Sequence, residues 1–228
     1  MIRQIRLPLG FKTDYRRDNF IAGRCNQAAL DWIELWPDWG SHASWLWGPQ
    51  GSGKTHLAEI WAEHANAAIA DKAANGDALL DVLWRGQNLV LDNALGWLDE
   101  TTLFHVLNAA KNGNNSILLT ATESVSGIKI STPDLRSRLQ ALPQIGIDAP
   151  DDEMLQMLAT KLLADRQLRV EPQVIDYAIL RLPRSFGAVQ QFVAALDEFS
   201  LANRRGVTLS LARQVLSLPQ FHETNGYE

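Results

Sequence analysis

Over the first two-thirds of the chain, apolar residues fall in short runs, and the stretches between them have helical spacing. The runs Ala43–Trp47, Ala67–Ala70, Asn88–Leu91, Ser116–Thr120 and Gln144–Ile147 are bounded by polar or turn-forming residues and predict strands. Between them, helical patterns cover about Asn26 to Trp36, a stretch beginning near Lys54, and Leu98–Ala110. Short strands alternating with helices predict an α/β parallel sheet covered on both faces. After Ala149-Pro150 the pattern changes. Asp151–Gln167, Pro172–Leu182, Ser185–Ala202 and Leu209–Leu218 all read as helices, and Pro150 followed by Asp151 and Asp152 suits a helix start. The expected organisation is a short leader over 1–13, an α/β domain over 14–150 and a helical domain over 151–228.

Composition narrows the function classes. With 46% hydrophobic and 21% charged residues in 228, the chain is neither disordered nor collagen-like. A formal charge of −5 argues against a protein whose main task is gripping nucleic acid phosphates. The single cysteine, Cys25, excludes a disulfide framework and a cysteine-based zinc site, and the five histidines show no metal spacing. No apolar stretch approaches membrane-spanning length and Met1-Ile2-Arg3 leads into no signal-peptide core, so a soluble cytoplasmic protein is expected. The eight tryptophans are expected to pack, with Trp36 or Trp39 the candidates for a partner surface.

The strongest chemical signal is Gly48-Pro49-Gln50-Gly51-Ser52-Gly53-Lys54-Thr55, a complete phosphate-binding loop. Glycines let backbone N–H groups turn inward around phosphate oxygens, and Lys54 places a charge on the outer phosphates. The Thr55 hydroxyl can reach Mg²⁺, and the following helix aims its N-terminus at the anion. A carboxylate to hold the Mg²⁺ shell is supplied at a strand end by Asp92. The next residue is Asn93, where hydrolytic relatives carry an acid. An amide positions water but takes no proton, so weak or absent intrinsic turnover is expected. Thr120 or Thr122, at the end of the next strand, is a candidate γ-phosphate sensor. Arg138 has two readings from spacing alone: an ion pair with Asp134 one turn earlier, or an arginine finger entering a neighbour's nucleotide site.

Together these motifs resemble the AAA+ ATPases, and within them the family of the bacterial replication initiator DnaA and its Hda-type regulators. The resemblance rests on Asp18–Asn26, the phosphate loop, Leu91-Asp92-Asn93, Thr120-Ala121-Thr122 and Leu135-Arg136-Ser137-Arg138-Leu139, in that order. It implies a sheet in the order 5-1-4-3-2 and an all-helical lid. It also implies a site for ADP or ATP with Mg²⁺ that adds Phe20 and Ile21 (adenine pocket), His56 and the lid residue Arg184. Matching the lid helix without a gap puts Gly187 or Gln190 at Arg184's place. In Hda-like proteins the Asp-Asn pair is the usual form, and Arg138 is then the arginine finger.

The leader residues Gln4, Ile5, Leu7, Pro8 and Leu9 match the peptide by which Hda-like proteins bind the DNA sliding clamp. Pro8 biases Leu7 towards an extended conformation, so less ordering is lost on docking. The resemblance thus implies a clamp-docked regulator that stimulates hydrolysis of DnaA-bound ATP and prevents over-initiation. Its partners are the initiator and the clamp, with a homo-oligomer also allowed. Lacking the initiator's further helix-turn-helix domain, the chain is not expected to bind DNA sequence-specifically. A DNA-dependent AAA+ ATPase of the helicase-loader type is the alternative.

Overall fold

The computed structural model describes residues 14–203 and 206–221, so the leader peptide lies outside the described residues. The strands are β1 (Ala43–Trp47), β2 (Ala67–Ile69), β3 (Asn88–Leu91), β4 (Ile117–Ala121) and β5 (Gln144–Gly146). All pair in parallel, in the order β2-β3-β4-β1-β5, which is the expected order read from the other edge. Two-residue alternation divides the core. Trp45, Leu89, Leu91, Ile117 and Leu119 face one side, and Leu46, Val90 and Leu118 the other. Because both faces are covered, strand residues are apolar in succession, which is why the runs stand out in the sequence.

One face is covered by α1 (Gln27–Glu34) and α2 (Lys54–Ala65), the other by α3 (Gly76–Trp84), α4 (Glu100–Gly113) and α5 (Pro133–Gln140). The helical pattern predicted across Leu98–Ala110 begins later because Asp99 is the cap, its carboxylate accepting from the Thr102 N–H at 2.9 Å. The sequence pattern does not single out α3. Its start, Asn75-Gly76, reads as a turn, but the Asn75 side chain caps the helix by accepting from the Ala78 N–H at 2.9 Å. Pro133 occupies the first turn of α5, as its fixed φ favours.

Most of the tryptophans pack, but Trp84 at the end of α3 is 72% exposed. Trp39 is buried, stacks on Trp61 and Trp32 at centroid distances of 5.0 and 6.0 Å, and donates its indole N–H to the Trp32 carbonyl at 2.7 Å. Trp36 is half-buried and donates to Ser116 Oγ at 3.1 Å. Fixed acceptors satisfy the polar ends of Trp32, Trp36 and Trp39, whereas the buried indole N–H of Trp61 has no partner among the described residues.

The C-terminal helices α6 (Asp152–Asp165), α7 (Pro172–Ile179), α8 (Phe186–Asn203) and α9 (Leu209–Leu216) build their own core from residues such as Leu155, Val174, Val193 and Val215. Met154 and Phe186 depart from it and join the α1–α2 core instead. These two side chains anchor the helical unit to the sheet unit beside the phosphate loop. Asp151 starts α6, accepting from the Met154 N–H at 2.8 Å. Asp151→Ala is expected to lower stability by about 1 kcal/mol and the melting temperature by about 2–4 °C, measurable by calorimetry.

Candidate functional site

The loop between β1 and α2 turns through Gly51 (φ +79°) and Gly53 (φ +93°), left-handed conformations that side-chain-bearing residues rarely adopt. Both glycines also permit close approach. A Cβ on Gly53 would lie 3.1 Å from the Phe20 ring, and one on Gly51 would lie 2.9 Å from Gln190 Oε1. Lys54 Nζ donates to the carbonyls of Gly48 at 2.8 Å and Pro49 at 2.9 Å. Burial pushes the Lys54 ammonium below its ordinary pKa, opposed by the Asp92 charge. Ser52 Oγ is buried with no hydrogen-bond partner among the described residues. Pro49 and Gln50 form the exposed tip of the loop, and Gly48 lies buried at its base.

At the end of β3, the Asp92 carboxylate accepts from Thr55 Oγ at 3.0 Å and, through its other oxygen, from Thr120 Oγ. The same Thr120 oxygen accepts the Asn93 N–H at 2.9 Å, and Trp97 donates its indole N–H to the Asp92 carbonyl at 3.0 Å. Thr120 is buried and Thr122 exposed. Asn93 is exposed in the left-handed region (φ 51°, ψ 46°), which asparagine tolerates better than most residues. Among the described residues no group of three or more His, Cys, Asp or Glu is arranged to hold a metal. Thr55 and Asp92 offer one hydroxyl and one carboxylate, which suits Mg²⁺ whose remaining ligands are phosphate oxygens and water.

A cavity of about 440 Å³ lies between this loop, the lead-in segment and the helical unit. Phe20, Ile21 and Tyr15 line it from the lead-in, and Met154, Leu158, Phe186 and Gln190 from the helices. His56 meets Tyr15 and Phe20 edge-on at 5.4 and 5.2 Å, with Nε2 hydrogen-bonded to the Arg16 carbonyl at 3.0 Å. Asn26 fixes the lead-in, accepting from the Gly23 N–H at 2.8 Å and donating to the Ile21 carbonyl at 2.9 Å.

The helical contact to the loop differs from the expected Arg184. Arg184 precedes α8, is 72% exposed in its side chain, pairs with Asp152 at 3.0 Å and does not line the cavity. Asp152 draws it to the start of α6. Gln190, one turn inside α8, donates to the Gly51 carbonyl at 3.2 Å instead. Lys161 and Arg166 of the α6 region also line the cavity, held by Asp165 at 2.7 Å and the Leu162 carbonyl at 3.1 Å. The sequence reading did not foresee this α6 wall; its signal is the recurrence Met154, Leu158, Lys161, Leu162, Asp165 on one helix face.

Arg138 stands apart, lining a second cavity of about 580 Å³. Its guanidinium lies 4.8 Å from the centroid of the Phe104 ring and donates to Asn108 Oδ1; among the described residues it forms no ion pair with Asp134.

A phosphate loop after the first strand of a five-stranded parallel sheet, a strand-end carboxylate beside it and a helical unit over the cavity define a P-loop protein of the AAA+ class. The comparisons agree. The structure superposes on domain III of the Thermotoga maritima initiator DnaA with a TM-score of 0.73 at 18% identity, covering 92% of this chain and 98% of that one. It also superposes on the Thermotoga maritima Holliday junction branch migration motor RuvB with a TM-score of 0.67 at 17% identity, covering 90% and 72%. In sequence, a protein of Haemophilus influenzae described as uncharacterized is 25% identical over 96% of this chain and all of its own length. The Cutibacterium acnes DnaA is 22% identical over 92% of this chain and 48% of its own. The chain spans about half the length of the curated initiators it matches. Residues 151–216 match the family model described as the Hda lid domain. The sheet and loop thus have the fold of DnaA-type AAA+ proteins, and the helical unit is similar to the lid of the Hda family.

If the loop holds a polyphosphate, adding ADP or ATP with Mg²⁺ raises the melting temperature, by the equivalent of about 2.7 kcal/mol at a hundredfold excess over Kd. Lys54→Ala is expected to abolish that rise in differential scanning fluorimetry.

Proposed function

We propose that this protein is a negative regulator of replication initiation that binds an adenine nucleotide and acts on DnaA in trans. The observation that carries the reading is an Hda-type lid (residues 151–216) closing over a complete phosphate loop whose strand-end Asp92 is followed by an amide, Asn93. That site is equipped to hold a nucleotide, but it has no group beside Asp92 to take a proton from water. One solved DnaA is described as bound to AMPPCP and single-stranded DNA, which supports an adenine nucleotide as the ligand here.

On this reading the loop and Lys54 bind the phosphates, and the buried ring of Phe20 with half-buried Ile21 shelters the base. Gln190 brings the lid onto the loop. Thr55 and Asp92 would hold Mg²⁺, which would neutralise phosphate charge. The bound nucleotide fixes the arrangement of an α/β unit (14–150) against the lid (151–228). Leader residues 1–13 dock the protein on the sliding clamp through Gln4 and its apolar neighbours. Arg138 then completes the ATP site of the initiator, supplying positive charge where charge accumulates during phosphoryl transfer.

The test is ATP hydrolysis by purified DnaA with and without this protein, in the presence of clamp loaded on DNA. Stimulation that disappears when the clamp is omitted supports the reading. DNA-stimulated turnover by this chain alone, without DnaA, supports the helicase-loader alternative instead. Arg138→Ala is expected to bind nucleotide and clamp normally yet lose stimulation, an effect on the order of 10³-fold for a trans arginine. Gln4→Ala is expected to weaken clamp binding in surface plasmon resonance and leave nucleotide binding unchanged.

A further inference from the structure

Tyr177 on α7 carries two guanidiniums. That of Arg181, just past the end of α7, lies 3.6 Å from the ring centroid, and that of Arg213, from α9, lies 5.3 Å from it. Both arginines are exposed, and among the described residues neither forms an ion pair. Arg181 donates one N–H to the Tyr177 carbonyl at 3.0 Å, which suits a cation at a helix C-terminus. That contact accounts for Arg181, but not for a second arginine brought to the same ring from another helix.

The neighbouring side chains are uncharged. Gln173 lies one turn before Tyr177 on α7, and Ser210 and Gln214 flank Arg213 on α9; all three are exposed. Asp176, the carboxylate within α7, is turned to α6, where it accepts from Gln156 Nε2 at 3.1 Å. In a chain of net charge −5 this face is a local reversal of sign, and a patch of positive potential attracts an anion. Two features select which anion. Arginine, tyrosine, serine and glutamine are side chains that hydrogen-bond the phosphate oxygens of a nucleic-acid backbone. The Tyr177 ring is already covered by Arg181, so it is no platform on which an unpaired base can stack.

We propose that the α7–α9 face of the lid is a contact for the sugar-phosphate backbone of duplex DNA, with Arg181 and Arg213 each neutralising one phosphate. The ring holds both guanidiniums by cation–π attraction, so less side-chain freedom is lost when the phosphates arrive. Backbone contacts carry no sequence information. Two of them give weak binding, in keeping with the acidic balance of the whole chain. The contact needs neither the clamp nor DnaA, so its test stands apart from theirs.

The experiment is fluorescence anisotropy of a short labelled duplex of mixed sequence, titrated with the full chain between about 20 and 200 mM salt. Two phosphate contacts predict a salt slope of about −1.8, a loss of about 60-fold in affinity across that range. Arg181→Gln and Arg213→Gln are each expected to halve the slope, to about −0.9, and the double variant to abolish binding. Arg181→Lys/Arg213→Lys, which keeps both charges, is expected to keep the slope, and melting temperatures show that each variant is folded. Arg85→Gln, the same charge change at the exposed arginine that ends α3, is expected to leave binding unchanged.

No binding by the unaltered chain at about 20 mM salt overturns the proposal. An equal loss in Arg85→Gln also overturns it, since binding would then follow net charge alone. So does a lysine variant that binds no better than the double glutamine variant. Tighter binding to a single strand of the same length overturns the choice of duplex. Binding of poly-glutamate instead of DNA, lost in the double glutamine variant, gives the face to an acidic protein and overturns the proposal as well.

Discussion

The phosphate-loop site depends on how the Asp92 carboxylate is shared. One oxygen takes the Thr55 hydroxyl at the start of α2, the other takes the Thr120 hydroxyl on β4, and Thr120 in turn receives the Asn93 N–H. A single side chain thus fixes the relative positions of β3, β4 and the helix that follows the phosphate loop. Carboxylate hydrogen bonds to hydroxyl donors are among the stronger kind in proteins. Here they are partly screened from water, since Thr120 is buried and Asp92 half-buried. The loop's glycines can then take left-handed turns because both of their flanks are already held.

From that point the site extends outward in both directions. On one side the lead-in segment, held by Asn26, lays Phe20 against Gly53, so the pocket wall and the loop constrain each other. On the other side Gln190 brings the lid to Gly51 through a neutral contact. The cations that face the cavity from α6, Lys161 and Arg166, are already engaged with Asp165 and the Leu162 carbonyl. The lid therefore approaches the loop with an amide, whose interactions are weaker and less dependent on salt than those of a free arginine.

What could be read from the sequence was whatever is encoded locally. The buried strands appear as apolar runs because the sheet is covered on both faces, and Gly48–Thr55 announces itself because its spacing is a backbone requirement. Asp92 follows from its place one residue beyond an apolar run. The helix at Gly76–Trp84 was expected only as a helical stretch between two strands, and its start is fixed by the Asn75 side chain accepting the Ala78 N–H. The sequence left the lid contact open between Arg184 and the ungapped alternatives Gly187 and Gln190, of which Gln190 makes it. Arg184 and Gln190 lie within one short segment, and the choice between them is made by Asp152, which is 32 residues from Arg184 in sequence and captures it. The contact of Arg138 with Phe104 and Asn108 is likewise tertiary, joining α4 to α5, and no periodicity within either helix specifies it.

The placement of Met154 and Phe186 bears on how the lid can move. Both are lid residues, both are buried, and both belong to the core beneath α1 and α2. Gly23 lets the lead-in lie so close to Met154 that a Cβ there would come within 2.5 Å of the methionine methyl. Lifting the lid must therefore bring greasy surface into contact with water, at roughly 2 kcal/mol for each such side chain. An opening step of that kind carries a positive heat-capacity change, and the attraction opposing it weakens as the temperature falls. In this molecule any opening of the lid is thus coupled to temperature through two side chains outside the phosphate loop.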